Sequence, residues 1–449
     1  MQALLKADEA LVLLLDIPHI GKLPEESLVW AVTKTNARWA RTERGTKSLQ
    51  DSVETLRCGL DADAWAHGRC VDLLKVNYTR ADREAAKPLP FDRKLAHDLY
   101  AALFGQIEDL VIGKHLLVVP SGPLTMLPFH ALIATPPADD ADDAKVAWLG
   151  TRQAITILPS VATLSGLRTY AKTSHASRPF IGFGNPLLDG DPTAPSQAAH
   201  AKLARELQRC PDTPTTMGRI IAGHAGLRPL ARGGLADPDK IRRQVALPET
   251  AVELCAVARS LGIPASEIRL GAQATEREMK AMSADGRLAS YRIVHLATHG
   301  AVAGELQRGA EPGLILTPPD KATETDDGYL AASEIAGLKL DADWVILSAC
   351  NTAAGGAEGA EALSGLARAF FYAGARALLV SHWAVNSHAA VNLITTAVSA
   401  MAVDPSVGRA EALRRSMLAL VESGTPQAAH PAYWAAFVVV GEGATASLR

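Results

Sequence analysis

Two repeats of apolar positions organise the chain. Leu49, Val53, Leu56 and Leu60 follow one another at spacings of four, three and four, which puts them on a single helical face. Phe91, Leu95, Leu99, Leu103, Ile107 and Leu110 extend that spacing over about five turns before Gly113 ends it, and residues 116–119 then read as a buried strand. Upstream, residues 10–17, 28–34 and 37–41 read as short strands, with Pro18, Gly21 and Pro24 marking the turn between the first two. From Arg178 onward the strand candidates change character: 180–183, 293–297, 314–316, 344–347, 377–380 and 437–440 are continuous apolar runs, as a parallel sheet covered on both faces requires. Between them, Thr250 with Glu253 and Thr275 with Glu278 match the capping-box spacing, and Asp404 before Pro405 matches an N-cap with proline at the first helical position. Strands alternating with capped helices predict an α/β fold on an open, mostly parallel sheet. Two stretches break the pattern. Residues 135–145 are rich in Pro, Ala and Asp, and 185–234 holds Pro186, Pro192, Pro195, Pro211 and Pro214 and reads as a long functional or mobile loop.

The length of 449 residues suggests two or three domains. Lys and Arg number 45 against 48 Asp and Glu, a net charge of −3, which excludes nucleic-acid binding driven by global basic charge. The longest apolar runs, 11–15 and 437–440, fall far short of the roughly 20 residues of a membrane span. Lys6, Asp8 and Glu9 interrupt the first fifteen residues, which lack the basic start and small-residue cleavage site of a signal peptide. The expected location is therefore the cytoplasm, with neither a nucleic-acid nor a membrane partner. Five cysteines without a C-x-x-C pair fit reduced thiols, and Cys255 shares a helical face with Ala251, Leu254, Ala258 and Leu261.

Two strand ends carry residues that core packing does not require. The run YRIVHLATHG puts His299 and Gly300 just past one buried strand, and WVILSACNTAAGG puts Cys350 just past another. In open parallel sheets ligands sit at the carboxyl ends of strands, so a thiol and an imidazole would meet there if the two strands are neighbours. Together they are a candidate nucleophile and acid/base pair, with backbone amides at Gly300 and Cys350 as a candidate oxyanion hole. His295 and His299 have a zinc-helix spacing but lack the glutamate of H-E-x-x-H on a strand-like run, so no metal site is expected. Gly355, Gly356 and Gly359 are not followed by the Gly-Lys-Ser/Thr of a P-loop, and no cofactor is implied. The absence of a G-x-S-x-G elbow disfavours a serine acyl-transfer enzyme on a doubly wound sheet. His382 and His388 flank Trp383 at a third strand end, where they line a pocket or serve as capping and solvent-facing groups.

The strings VHLATHG at 294–300 and LSACNTAAGG at 347–356 resemble the two signature segments of the CHAT peptidase family, caspase-like cysteine peptidases related to separase and commonly found behind tetratricopeptide repeats. VVPSGPLTMLPFHAL at 118–132, RLGAQATEREM at 269–279, DGYLAASEI at 327–335, the helix and strand at 360–385 and HPAYWAAFVVVG at 430–441 are also similar to family segments. The resemblance implies a three-layer α/β/α fold in two tandem caspase-like units, 1–170 without the dyad and 171–449 carrying it. It implies a cysteine endopeptidase acting on a protein or peptide through an acyl-enzyme, with Cys350 as nucleophile and His299 as acid to the leaving amine. The alternative is a catalytically idle scaffold of the same fold. Relatives that cut after Arg or Lys often carry an aspartate two residues before the nucleophile, where this chain has Ser348. Ser348, Trp383, Asp326 and Asp327 are the candidate substrate-binding residues, with Glu311 and Glu358 as further loop carboxylates. Asn386 stands where the family often has an acid. The repeats are absent from these residues, so a regulatory repeat region would be a further segment or a separate partner.

Overall fold

A computed structural model describes the chain apart from residues 68, 80, 83–84, 86, 139–141, 170–172, 212–230, 233–234, 302–310, 349–358, 384, 424 and 445–449. Its contacts divide it into two units, residues 1–171 with 392–449, and residues 172–391. The division expected at 170/171 assigned 392–449 to the second unit, whereas that stretch packs with the first.

The first unit starts with an antiparallel meander of β1 (Glu9–Ile17), β2 (Glu26–Thr33) and β3 (Ala37–Thr42). β2 alternates buried with half-buried positions, the period of a strand with one face on the core. β4 (His115–Val119) pairs parallel with β1, setting Leu11 beside Leu117 and Val12 beside Val118, and β5 (Ile155–Ile157) pairs parallel with β4. The chain then builds the second unit. β6 (Arg178–Gly184) is followed by a small hairpin of β7 (Ala231–Arg232) and β8 (Leu235–Ala236), then by β9 (Ile268–Leu270) and β10 (Tyr291–Ala297). β11 (Gly300–Ala301), β12 (Gly313–Ile315) and β13 (Tyr329–Ala331) form a separate antiparallel sheet. β14 (Trp344–Leu347) and β15 (Ala377–Ser381) complete a parallel sheet in the order β15, β14, β10, β6, β9. The chain returns to the first unit through the Ser387–Val403 helix, and β16 (Phe437–Gly441) closes that sheet beside β5.

A buried ion cluster ties the first unit together. Arg168 reaches both carboxylate oxygens of the fully buried Glu9 at 2.6 and 2.7 Å and both oxygens of Glu442 at 2.8 and 3.0 Å. Burial alone would push the Glu9 carboxyl up, but the bidentate guanidinium and the Lys6 amide hold it below its ordinary value.

Several expectations are corrected. The helix read through 91–110 runs only over Arg93–Phe104, capped by Asp92, and gives way to a 3-10 turn at Gly105, whose missing side chain weakens a helix interior. The 314–316 run is β12, an antiparallel strand and not a member of the parallel sheet. The 185–234 stretch holds a helix, Pro195–Glu206, whose Ala201 and Ala204 share a buried cluster with Leu188, Ile241, Ile315 and Tyr329; residues 212–230 lie outside the described residues. Asp404 caps no helix: it accepts the Ser406 amide at 2.9 Å, and the next helix begins at Arg409. Thr275 does cap its helix through the Glu278 amide, whereas the other proposed box is not formed, because that helix begins at Pro248 and Thr250 bonds back to the Leu247 carbonyl. The reduced-thiol reading is also overturned. Cys58, at the end of one helix, bonds to Cys70 near the start of the next, and Cys210, beyond the Pro195–Glu206 helix, bonds to Cys255 within the Pro248–Ser260 helix.

Two measurements check this. Under non-reducing, denaturing conditions iodoacetamide is expected to label one cysteine per chain, Cys350, and all five after reduction; more than one label without reductant would refute the pairing. Burial of His130, with 3% of its surface exposed, lowers its pKa from 6.5 to about 4. An unfolded His130 takes up its proton near pH 6.5 while the folded one does not, so this contribution is present above pH 6.5 and is lost as pH falls towards 4, by at most roughly 3 kcal/mol. His115 and His430, also held down by burial, act in the same direction. The melting temperature is expected to fall between pH 7 and pH 5, and less steeply in His130→Gln; equal slopes would show that His130 is not the source.

Candidate active site

The second unit's parallel register decides which strand ends meet. β10 pairs with β14, Leu296 beside Leu347, and β14 pairs with β15, Leu347 beside Val380. Because parallel neighbours share a direction, the segments following all three strands leave the sheet at one edge. His299 and Gly300 follow β10, Ser348 follows β14, and His382 and Trp383 follow β15. Cys350, like Glu358, lies outside the described residues.

His299 is tightly framed, with 8% of its surface exposed. Its own carbonyl accepts the Ile315 amide at 2.9 Å, and the Thr298 hydroxyl bonds the Ile315 carbonyl. Its Nε2 lies 2.7 Å from the Val245 carbonyl. A carbonyl only accepts, so Nε2 carries the hydrogen and Nδ1 is the nitrogen through which the neutral ring exchanges a proton. With Ile315 donating to His299, the neighbouring pair Gly300 and Leu314 makes no mutual ladder bonds, which turns the Gly300 amide away from β12.

One strand turn earlier, His295 is fully buried, with the ring of Phe180 edge-on at 5.9 Å. Its Nε2 lies 2.9 Å from Ser348 Oγ and 3.0 Å from Glu253 Oε1. The two histidines thus engage different partners, one a carboxylate and a hydroxyl, the other a backbone carbonyl. Glu253 stands at the third position of the Thr250 capping-box spacing but caps nothing. The helix places it inward, and a carboxylate buried among Leu254, Val257 and Ala258 was the signal that a polar partner had to exist. Ser348 is half-buried, and its amide donates to the Leu296 carbonyl at 3.2 Å. Trp383 is buried, tilted at 32° to the His382 ring with centroids 6.2 Å apart. Asn386 takes up the position of a cap, accepting the His388 and Ala389 amides at 3.1 and 3.3 Å.

Asp326 and Asp327 sit in the turn before β13 and are built into it. Asp327 accepts the Ala236 amide at 2.7 Å on one oxygen and the Tyr329 amide at 2.9 Å on the other. Asp326 lies 3.2 Å from the Arg277 guanidinium, and burial raises its pKa in spite of that cation. Glu311 similarly accepts the Ser333 amide at 2.8 Å. The organiser of the turn is Glu276, which the sequence reading passed over. Its Oε2 accepts the Asp327 and Gly328 amides at 2.9 and 3.0 Å, while its other oxygen meets Lys280, which also reaches Glu334 at 2.7 Å. Burial pushes Glu276 up to about 7 against these donors.

The sequence model of the CHAT domain family matches residues 93–442. Among solved structures, the chain is similar to Saccharomyces cerevisiae separase in its complex with securin, at 10% identity and a TM-score of 0.50, over 98% of this chain and 30% of the separase chain. This chain therefore spans under a third of that separase. Gingipain R, an Arg-specific cysteine proteinase, matches at 10% identity and a TM-score of 0.32, over 79% of this chain and 68% of its own. No curated protein sequence matches. The separase likeness is one of fold, an α/β caspase-like architecture on a mixed, mostly parallel sheet with flanking helices. Among the described residues no helix is long and apolar enough to cross a membrane.

Replacing Glu276 by Ala removes the acceptor of two backbone amides and the partner of Lys280, and is expected to cost about 2 to 4 kcal/mol of stability. Glu276→Gln, which keeps an acceptor for the amides, should lose about half as much. Urea unfolding of the two variants checks the order; equal losses would remove Glu276 from its organising role.

Proposed function

Since the chain belongs to the CHAT domain family, we propose that it is a cysteine endopeptidase cleaving a protein or peptide substrate through Cys350 and His299. The observation that supports the reading is the parallel pairing of β10 with β14, so that His299 follows one strand and Ser348, two residues before Cys350 in the sequence, follows the other at the same sheet edge. The Cys350 thiolate attacks the scissile carbonyl and forms an acyl-enzyme. His299, held by Val245 with Nδ1 as its exchanging nitrogen, delivers a proton to the departing amine. The backbone amides of Gly300 and Cys350 receive the oxyanion. Water then hydrolyses the acyl-enzyme.

Ser348 and Trp383 belong to the substrate side of this reading. Asp326 and Asp327, already engaged by Arg277 and by the Ala236 and Tyr329 amides, act there through the shape of the β12 and β13 sheet more than as free charges. The first unit, with its own mostly parallel sheet, is read as the companion caspase-like unit without a dyad, and a tetratricopeptide-repeat region as a regulatory partner. Location belongs to the same reading: two disulfides fit an oxidising compartment better than the cytoplasm, where thiols are kept reduced.

Cys350→Ala is expected to abolish cleavage, and His299→Ala to lower it by at least about 10²-fold, the lower end for loss of positioned acid/base catalysis. Melting temperatures should move by no more than a few degrees in Cys350→Ala, separating lost chemistry from lost structure. The assay is cleavage of a verified protein substrate by the purified proteins. Full activity of Cys350→Ala would end this reading, and inactivity of the wild type on every substrate would favour the scaffold.

A second expectation concerns the residue before the scissile bond. Ser348 cannot neutralise a cation, and an unpaired buried charge costs several kcal/mol, so cleavage should not depend strictly on Arg or Lys. A peptide library cut only after Arg and Lys would overturn it.

A further inference from the structure

The parallel sheet of the second unit stops at β9, and among the described residues no strand pairs with its far side. An edge strand presents backbone amides and carbonyls that a further extended chain can take up. Beside this strand lies a groove of about 720 Å³, lined by Ser266 before β9, by Arg269 within it, by Gln273 and Arg277 after it, and by Arg209 from the segment beyond the Pro195–Glu206 helix. Its lining sets three guanidinium groups, Arg209, Arg269 and Arg277, against one carboxylate, Glu278, a net +2 on a chain whose own net charge is −3. The fold leaves much of that charge open. Arg209 is exposed, and no described residue bonds or pairs with it. Arg269 has 19% of its side chain exposed and gives one N–H to the Ser266 carbonyl; its Nε stands 3.9 Å from Glu278, beyond hydrogen-bond reach, so the rest of its fork is left for the groove. Glu278 is divided further, with Arg287 at 3.7 Å. The wall carrying Arg209 is fixed on both sides of that residue. Gln208 Oε1 accepts the Ala272 amide at 3.0 Å and its Nε2 donates to the Ala204 carbonyl at 2.7 Å, while Cys210 is bonded to Cys255 and Arg259 donates to the Pro211 carbonyl at 3.0 Å. Such a wall needs little ordering when a ligand arrives.

We infer that this groove binds an extended acidic segment of a protein partner, with the segment's backbone pairing along the β9 edge and its carboxylates on Arg269 and Arg209. A planar guanidinium takes a carboxylate through two parallel hydrogen bonds, a match that a lysine ammonium does not make. The open strand edge supplies the backbone recognition and the arginines supply the choice of side chain. A nucleic acid fits the groove less well: the chain's overall negative charge opposes a polyanion, and no aromatic side chain lines the groove to stack on a base. The assignment is separate from the peptidase reading, since no lining residue has a role in cleavage there.

The test is fluorescence anisotropy of short, labelled, Thr-rich peptides titrated with the full-length protein, one peptide carrying two central Glu residues and its twin two Gln residues. The Glu peptide is expected to bind at least about tenfold tighter than its twin, and to weaken as salt is added. Arg269→Gln should weaken it about tenfold, and Arg269→Lys should recover only part of the loss, because the charge returns without the fork. Arg209→Gln should weaken it about threefold. Since Arg209 has no partner in the fold, its melting temperature should match wild type, so the lost affinity cannot be lost structure. Arg415→Gln, at an arginine of the first unit, should change nothing. Methylating every second backbone amide of the peptide should weaken binding about tenfold for one of the two alternate sets and little for the other, as pairing along one edge requires. Equal binding of the Glu and Gln peptides would overturn the proposal, and so would unchanged affinity in Arg209→Gln and Arg269→Gln, or indifference to both methylated sets. A phosphoserine peptide bound where the Glu peptide is not, or a single-stranded oligonucleotide bound as tightly, would also overturn it. Cys350→Ala should bind the Glu peptide like wild type; a changed affinity there would put the peptide at the candidate active site instead, whereas loss of cleavage alone bears only on the peptidase reading.

Discussion

The parallel contact between β10 and β14 is the constraint from which the candidate site follows. Four residue pairs, from Ile293 beside Trp344 to Leu296 beside Leu347, set the two strands in register. Every consequence at the sheet edge depends on that register, because a slip by one residue would exchange the faces on which His295 and its neighbours point. In the observed register His295 turns into the unit, where Phe180, Glu253 and Ser348 surround it, while the chain beyond Ala297 delivers His299 to the edge. Both strands are buried along nearly their whole length, so hydrophobic burial on both faces holds this polar arrangement in place.

Around that edge the unit commits its charges to backbone. Glu276, Asp327 and Glu334 all accept main-chain amides, and Lys280 bridges two of the three carboxylates. The effect is to fix the turn leading into β13, and through the β13, β12 and β11 sheet to support the Gly300 backbone. A segment such as DGYLAASEI, which looks in sequence like a loop carrying charges for a ligand, is in the fold a brace whose charges face inward. Glu311 repeats the pattern through the Ser333 amide. Rigid support of this kind is what a site needs if its amides and its imidazole are to meet a reacting carbonyl without rearranging.

The alternation of helix and strand, the buried runs and the two residues placed past strand ends were legible in the sequence, because each is carried by near neighbours in the chain. Apolar repeats of two or of three and four residues declare which face is buried, and a continuous apolar run declares that both are. The three-residue strands Ile155–Ile157, Ile268–Leu270 and Tyr329–Ala331 escaped, being too short to show a period. Helix starts at Asp404 and Thr250 were misread because a capping residue states only that a turn is possible, and tertiary packing chooses which turn is used.

What the sequence by itself determined is the fold class and the family, with a histidine and a cysteine as candidates past two buried strands. Only the tertiary structure decided their company. His295 meets Ser348 across 53 residues, His299 meets the Val245 carbonyl across 54, and Cys210 finds Cys255 across 45. Such pairings leave no local signature, since the chemistry of each residue permits many partners and only the path of the backbone brings one of them within 3 Å. The same path sends residues 392–449 back to the first unit, a choice made by burial of the β16 surface beside β5 and by the Glu442 carboxylate closing on Arg168.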